Sequence, residues 1–406
     1  MPSEKLIDLL LAFLCEGSDR SKLSNAEWEA LLGLATKHGV APLLYHRLSN
    51  ASLQVPERVL DALCENYHHN AFKNAQYYQE LADVLKRLQD AGIEVIVLKG
   101  AYLAKTVYQN EALRVIGDID LLVKEADLGQ SEKILLEMGY GPTERPSIKT
   151  QCAMSLHLEP FLKKGAFPIE IHWTLFSPTV PFKNRVDILW EQARSFTVAT
   201  VQVLTLSPED LLFHLCVHGG YSNRFVGMRF LCDIHNTIRY YEIDWDLLFH
   251  RARQWKAEKA LYLTLYTASD WGAASVPEKV FERFKPSDFN LELVVKLKEI
   301  TRLDIINRWR AHEKFFAALW IPNKSFREKL SIFLERIFPP LESLAEMYDV
   351  PKNSFRIYFY YLVRLKYLLV KYSGMAWRML RGDKKAQTFV AQNNQITILK
   401  DWMKSN

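Results

Sequence analysis

Much is missing from this 406-residue chain, and each absence removes a class of protein. Its five cysteines, Cys15, Cys64, Cys152, Cys216 and Cys232, are an odd number, scattered, with no Cys-x-x-Cys pair. That excludes a disulfide framework and a zinc ribbon, and it fits a reducing cytoplasm, where the protein is expected to reside. No stretch reaches about 18 uncharged apolar residues, so no transmembrane span is expected. The nearest, Ile357 to Val370, is broken by Arg364 and Lys366. The opening residues Met1 to Leu9 carry Glu4 and Asp8 inside their apolar run and offer no cleavage site, so they do not read as a signal peptide. Also absent are internal repeats, low-complexity tracts, a Walker A loop, a Rossmann fingerprint, a Gly-x-Ser-x-Gly elbow and a kinase signature.

What is present is an ordinary soluble composition, 49% apolar and 24% charged, long enough for two or three domains. A net charge of +5 suits an anionic ligand without requiring nucleic acid, and no nucleic-acid partner is expected.

The informative stretch runs from Gly92 to Trp173, centred on Asp118-Ile119-Asp120. Val115 and Ile116 precede the triplet and Leu121, Leu122 and Val123 follow it, so two carboxylates sit within a buried strand. Strand alternation puts Asp118 and Asp120 on one face. Like charges in an apolar setting need a compensating cation or donors, and a divalent metal supplies that most simply. Asp244-Trp245-Asp246 has the same pattern in another context. It opens a helical run, so Asp244 reads as an N-cap and Asp246 as a first-turn acid.

Three neighbours distinguish the first pair. Ile93 to Leu98 is a β-rich run ending in Lys99-Gly100-Ala101, with a helix expected over Tyr102 to Tyr108. A glycine at such a strand-to-helix turn lets backbone N–H groups approach a phosphate. Phe167 to Trp173 is a later strand in which Glu170 stands between isoleucines. A hairpin delivers it, with Ser155 to Phe161 as the first arm and Lys163-Lys164-Gly165 as the turn. A helix over Ala126 to Met138, closed by Gly139, gives β-α-β-α-β-β order, and Val201 to Leu206 forms a further strand.

The flanks are helical. Ser24-Asn25-Ala26-Glu27 is a capping box, Pro56 starts a long helix ending before Gly92, and Ser207-Pro208-Glu209-Asp210 starts another. The fold class is α+β: a helical region over 1–91, a small mixed sheet over 92–206, and a large helical domain over 207–406. His68 and His69 read as surface or packing residues. His214 and His218 have a metal-like i, i+4 spacing without the glutamate of a His-Glu-x-x-His site, so zinc and packing near a cleft both stand. Pro322, Pro339-Pro340 and Pro351 punctuate later helices. The acid-free, aromatic segment Ser354 to Leu380 reads as a core helix with snorkelling basic side chains, or as a nucleic-acid or membrane surface.

Together, Leu98-Lys99-Gly100, Arg114, Gly117-Asp118-Ile119-Asp120-Leu121-Leu122, Gly139-Tyr140 and Ile169-Glu170-Ile171-His172-Trp173 resemble the bacterial family of uncharacterised nucleotidyltransferases. The wider pattern is similar to the DNA polymerase β-like nucleotidyltransferases. The similarity is sharp over about Gly92 to Phe176, and Arg229-Phe230-Leu231-Cys232-Asp233-Ile234 and Ile243-Asp244-Trp245 also resemble family patterns.

The resemblance implies transfer of a nucleoside monophosphate from an NTP, with ATP expected, to an acceptor hydroxyl on a small molecule or protein. It implies two Mg²⁺ ions, with Asp118 and Asp120 as bridging ligands and Glu170 as third ligand and candidate base. Gly100 and the backbone at Ala101 would hold the triphosphate. Lys99 and Arg114 would balance its charge or form structural ion pairs, and His172 would assist or pack. Ala101 departs from the wider pattern, in which a serine or second glycine follows the turn glycine, and this shifts weight to Lys99. The alternative is a catalytically silent nucleotide-binding or protein-interaction module, its large helical remainder gripping a protein partner.

Overall fold

Before the first strand, the computed structural model forms α1 (Glu4–Cys15), α2 (Asn25–Lys37), α3 (Ala41–Ser49) and α4 (Glu57–Asp90). Ser24 caps α2 with the reciprocal Glu27 box that the sequence calls for, worth about 1 kcal/mol. Pro56 precedes α4, whose 34 residues run for about 50 Å and stop at Ala91 and Gly92. The structure describes residues 4–15, 23–51, 53–141, 147–178, 180–222, 227–272, 274–307, 354–366 and 383–404, with isolated positions between 327 and 381.

The sheet unit follows as β1 (Ile96–Val97), α5 (Lys99–Tyr102), β2 (Ile119–Leu122), α6 (Leu128–Glu137), α7 (Ile148–Met154), β3 (Ile169–His172), α8 (Val186–Gln192), β4 (Arg194–Val198) and β5 (Val201–Thr205). The strands lie in the order β3-β2-β1-β5-β4. β2 runs antiparallel to β1 and parallel to β3, while β1 and β5 are parallel, so the sheet is mixed as expected.

After the sheet come α9 (Pro208–Val217), α10 (Met228–Tyr240), α11 (Trp245–Gln254), α12 (Glu258–Asp270), α13 (Glu278–Phe284) and α14 (Leu291–Asn307). Ser207 caps α9 by accepting from the Asp210 N–H, and Asp244 caps α11 by accepting from that of Leu247. The Asp244 pair is therefore structural.

The structure divides into two units, Met1–Ile306 and Asn307–Ser405. The second is helical over 356–366 and Lys384–Lys404. Ile357 is buried there against Leu344, while Phe355, Tyr358, Phe359 and Leu362 are exposed. Residues 369–380 of the aromatic-basic segment, with Pro322, Pro340 and Pro351, lie outside the described residues.

Several local expectations need correction. The strand expected over Ile93 to Leu98 pairs only at Ile96 and Val97. The helix expected from Tyr102 already starts at Lys99 and passes into a π-turn at Leu103–Val107. The arm expected from Ser155 to Phe161 is not a continuous strand, because its register against β3 slips by one residue between His157 and Phe161, as a bulge does. It meets β3 only at isolated bridges, His157 opposite His172 and Phe161 opposite Ile169, although the turn at Gly165 (φ 80°) is as expected. β4 was not expected; it joins β5 through Ala199-Thr200, where Ala199 takes φ 51° without a glycine or asparagine to signal the turn.

Candidate active site

β2 and β3 are the foundation of the site. Ile119, Leu121, Ile169 and Ile171 are fully buried, so alternation sends Asp120, Glu170 and His172 to the opposite face. Asp120 and Glu170 are register partners across the two parallel strands. His172 Nε2 lies 3.0 Å from Asp120 Oδ1, to which it donates, and 3.6 Å from Glu170 Oε2. Lys99 Nζ lies 3.5 Å from the same Asp120 oxygen. One ligand atom each from Asp120, Glu170 and His172 fall within 4.8 Å of one another. Two carboxylates at that spacing, with the imidazole against both, fit a site for a divalent cation.

The electrostatics follow from burial. Desolvation alone would raise the Asp120 carboxyl, but Lys99 and the His172 hydrogen bond hold it well below the usual carboxylate range. Contact with His172 lowers Glu170, which keeps 23% of its side chain exposed. Burial would lower His172, yet Asp120 and Glu170 prevail and raise it.

Asp118 stands one residue before β2, and its residue is exposed. Partial desolvation, then the charges of Asp120 and Glu170, raise its carboxyl, while Lys99 and Arg229 oppose them. Asp118 thus shares the field of the site, while His172 completes the close group of donor atoms.

The strand-to-helix turn is strained. Lys99 takes φ 33°, an unusual backbone for a residue other than glycine, and its ammonium lies beside Asp120. At Gly100 a Cβ would meet Arg114 Nη1 and Ile116 Cγ2 at 3.1 Å, so the glycine permits a close approach of these two segments. Ala101 is buried, and its carbonyl accepts from Tyr78 at 2.6 Å.

Arg114 is held elsewhere. Its Nε and Nη2 each donate at 2.8 Å to the two oxygens of Asp233 on α10, and Tyr108 donates to the same carboxylate. Of its two readings the structure displays the ion pair. Arg229, one turn earlier on α10, donates to Val115 O at 3.1 Å. α4 braces the same segment: Asn70 donates to Ala112 O, and Asn74 donates to Glu111 O and Arg114 O. This accounts for the polar character of α4 between Tyr67 and Tyr78.

His214 is buried and His218 half-buried, their rings 5.4 Å apart and nearly perpendicular. Burial, then Lys99, pushes both well below the ordinary histidine value. They belong to no metal-ligand group among the described residues. His68 and His69 are exposed, as expected.

The sequence alone gives no role to His157, Arg229 or Asp233. His157 Nε2 lies 3.8 Å from Glu170 Oε2, and its ring is 5.0 Å from that of His172. Its only sequence signal was membership of the arm opposite β3. Arg229 and Asp233 sit in a noted pattern, but their partners lie more than 100 residues away.

The model of the uncharacterised nucleotidyltransferase family matches residues 24–273, more than half of the chain. The chain belongs to that family. Nucleotidyltransferases are enzymes that transfer phosphorus-containing groups, and the matched span holds the Asp120 site together with Arg229 and Asp233. The unit Asn307–Ser405 of this nucleotidyltransferase lies beyond the match. No curated protein and no solved structure matches the chain. No described helix is long and apolar enough to cross a membrane.

Proposed function

We propose that the protein transfers a nucleoside monophosphate from an NTP, ATP being the first to test, to an acceptor hydroxyl. The observation that carries this reading is the convergence of Asp120, Glu170 and His172 within 4.8 Å in a chain of this family. An oxygen–phosphorus bond forms between the acceptor and the α-phosphorus, the α–β phosphoanhydride bond breaks, and pyrophosphate leaves.

Asp118, Asp120 and Glu170 are assigned to hold divalent cations, Mg²⁺ in the simplest case, which when bound neutralise phosphate oxygens and orient the displacement. Lys99 places a positive charge beside Asp120 and is assigned to the triphosphate with the backbone at Gly100 and Ala101. Arg114 supports that turn from below through its packing on Gly100. Glu170, the more exposed carboxylate of the paired strands, takes the acceptor proton. His172 orients Asp120 and Glu170 by touching both. The cytoplasm is the proposed location, and 1–91, 92–206 and 207–406 are the proposed functional divisions.

Incubation with α-³²P-labelled NTPs and Mg²⁺, resolved into protein and small-molecule fractions, tests the proposal. Label transfer that disappears in Asp120→Asn supports it. Nucleotide binding with no transfer to any acceptor points instead to a silent module.

A further inference from the structure

The Nδ1 atom of His157 lies 2.7 Å from Leu158 O. A carbonyl only accepts, so the ring carries its proton on Nδ1 and, when neutral, presents the Nε2 lone pair. That lone pair faces Glu170 Oε2 at 3.8 Å, too far for a hydrogen bond. Two ligand atoms each about 2.1 Å from one ion stand roughly 3.0 to 3.5 Å apart, so the separation exceeds that of atoms sharing a cation by about 0.3 to 0.8 Å, which a small side-chain movement closes.

A backbone carbonyl fixing one ring nitrogen while the other faces outward is the posture of a metal-ligating histidine. His157 keeps 26% of its side chain exposed, so an ion reaches it from solvent. The bridge between residues 157 and 172 holds it opposite β3. His172 differs: its Nε2 is engaged as donor to Asp120.

We propose that His157, through Nε2, is a direct ligand of the divalent cation held at Glu170. This rests on the nucleotidyl-transfer reading and sharpens it: an imidazole ligand favours a first-row transition-metal dication over Mg²⁺ at that position. The carboxylates then supply the oxygen donors common to both kinds of ion.

The test uses the full chain without nucleotide. Mn²⁺ is titrated by electron paramagnetic resonance, with Mg²⁺ as competitor, and histidine ¹⁴N coupling to the bound ion is read by spin-echo modulation. The expected result is Mn²⁺ bound about tenfold or more tighter than Mg²⁺, with clear nitrogen modulation. His157→Ala and His157→Gln are expected to weaken Mn²⁺ binding about 10- to 100-fold and reduce the modulation, with the unfolding temperature held. Mn²⁺ affinity and modulation unchanged in either folded variant, or no Mn²⁺ binding by the wild type, overturns the proposal. Nucleotide binding is measured separately. If nucleotide fails to bind while the nitrogen signal still depends on His157, the transfer reading fails and the metal site stands.

Discussion

Asp120 and Glu170 occupy the same register position on the neighbouring parallel strands β2 and β3, and His172 touches both carboxylates. The sheet itself therefore sets their separation. Asp120→Asn and Glu170→Gln each keep the side-chain volume while removing a charge. Each is expected to lower label transfer by about 100- to 1,000-fold, from the several kcal/mol of charge stabilisation a held cation gives. Circular dichroism is expected to show the fold intact. Transfer within threefold of wild type in either variant contradicts the assignment.

Lys99 Nζ lies 3.5 Å from Asp120 Oδ1, and Lys99 is assigned to the triphosphate. Losing one charge-assisted contact weakens nucleotide binding by about 10- to 100-fold. Lys99→Met is expected to raise the KM for NTP by that factor, measured by initial rates over a nucleotide series. An unchanged KM returns Lys99 to a purely structural pair.

Arg114 and Asp233 form a buried, doubly hydrogen-bonded pair that also receives Tyr108. Asp233→Ala strands the guanidinium without its partner, and the expected loss is about 3–5 kcal/mol in urea unfolding. The double variant Arg114→Met, Asp233→Leu is expected to recover part of it. Equal destabilisation of single and double variants contradicts a charge-stranding cause.

His214 and His218 are held neutral in the fold by burial and Lys99, while in the unfolded chain they take up protons below about pH 6.5. The unfolded state then binds more protons, so stability falls as pH drops from 7. His172 works in the opposite sense. Its raised value contributes stability that is present at low pH and lost as pH rises, partly offsetting the other two. Between pH 7 and 5.5 each of His214 and His218 costs about 1 kcal/mol. His214→Asn is expected to flatten the wild-type decline in urea-derived stability by about that amount. An unchanged slope contradicts it.

Local chemistry made much of the fold legible. Ser24 with Glu27, Ser207 with Pro208, and Asp244 could be read as helix starts because a cap is decided within four residues. Asp120 and Glu170 could be read because each acid interrupts a short β-branched or aliphatic run. What could not be read depends on distance along the chain. Nothing near Arg114 announces Asp233, and nothing near His157 announces Glu170. The sheet order, with β1 between β2 and β5, is likewise a product of long-range pairing. Asp118 stands just before β2 begins at Ile119, within the field of Asp120, Glu170 and Lys99.

The most direct test of the central claim is a crystal of the full chain grown with Mn²⁺ and an α,β-non-hydrolysable NTP, with anomalous scattering used to find the metal. The expected result is a manganese peak among Asp118, Asp120 and Glu170, with the triphosphate between it and Lys99. Manganese and nucleotide bound away from these carboxylates would contradict it.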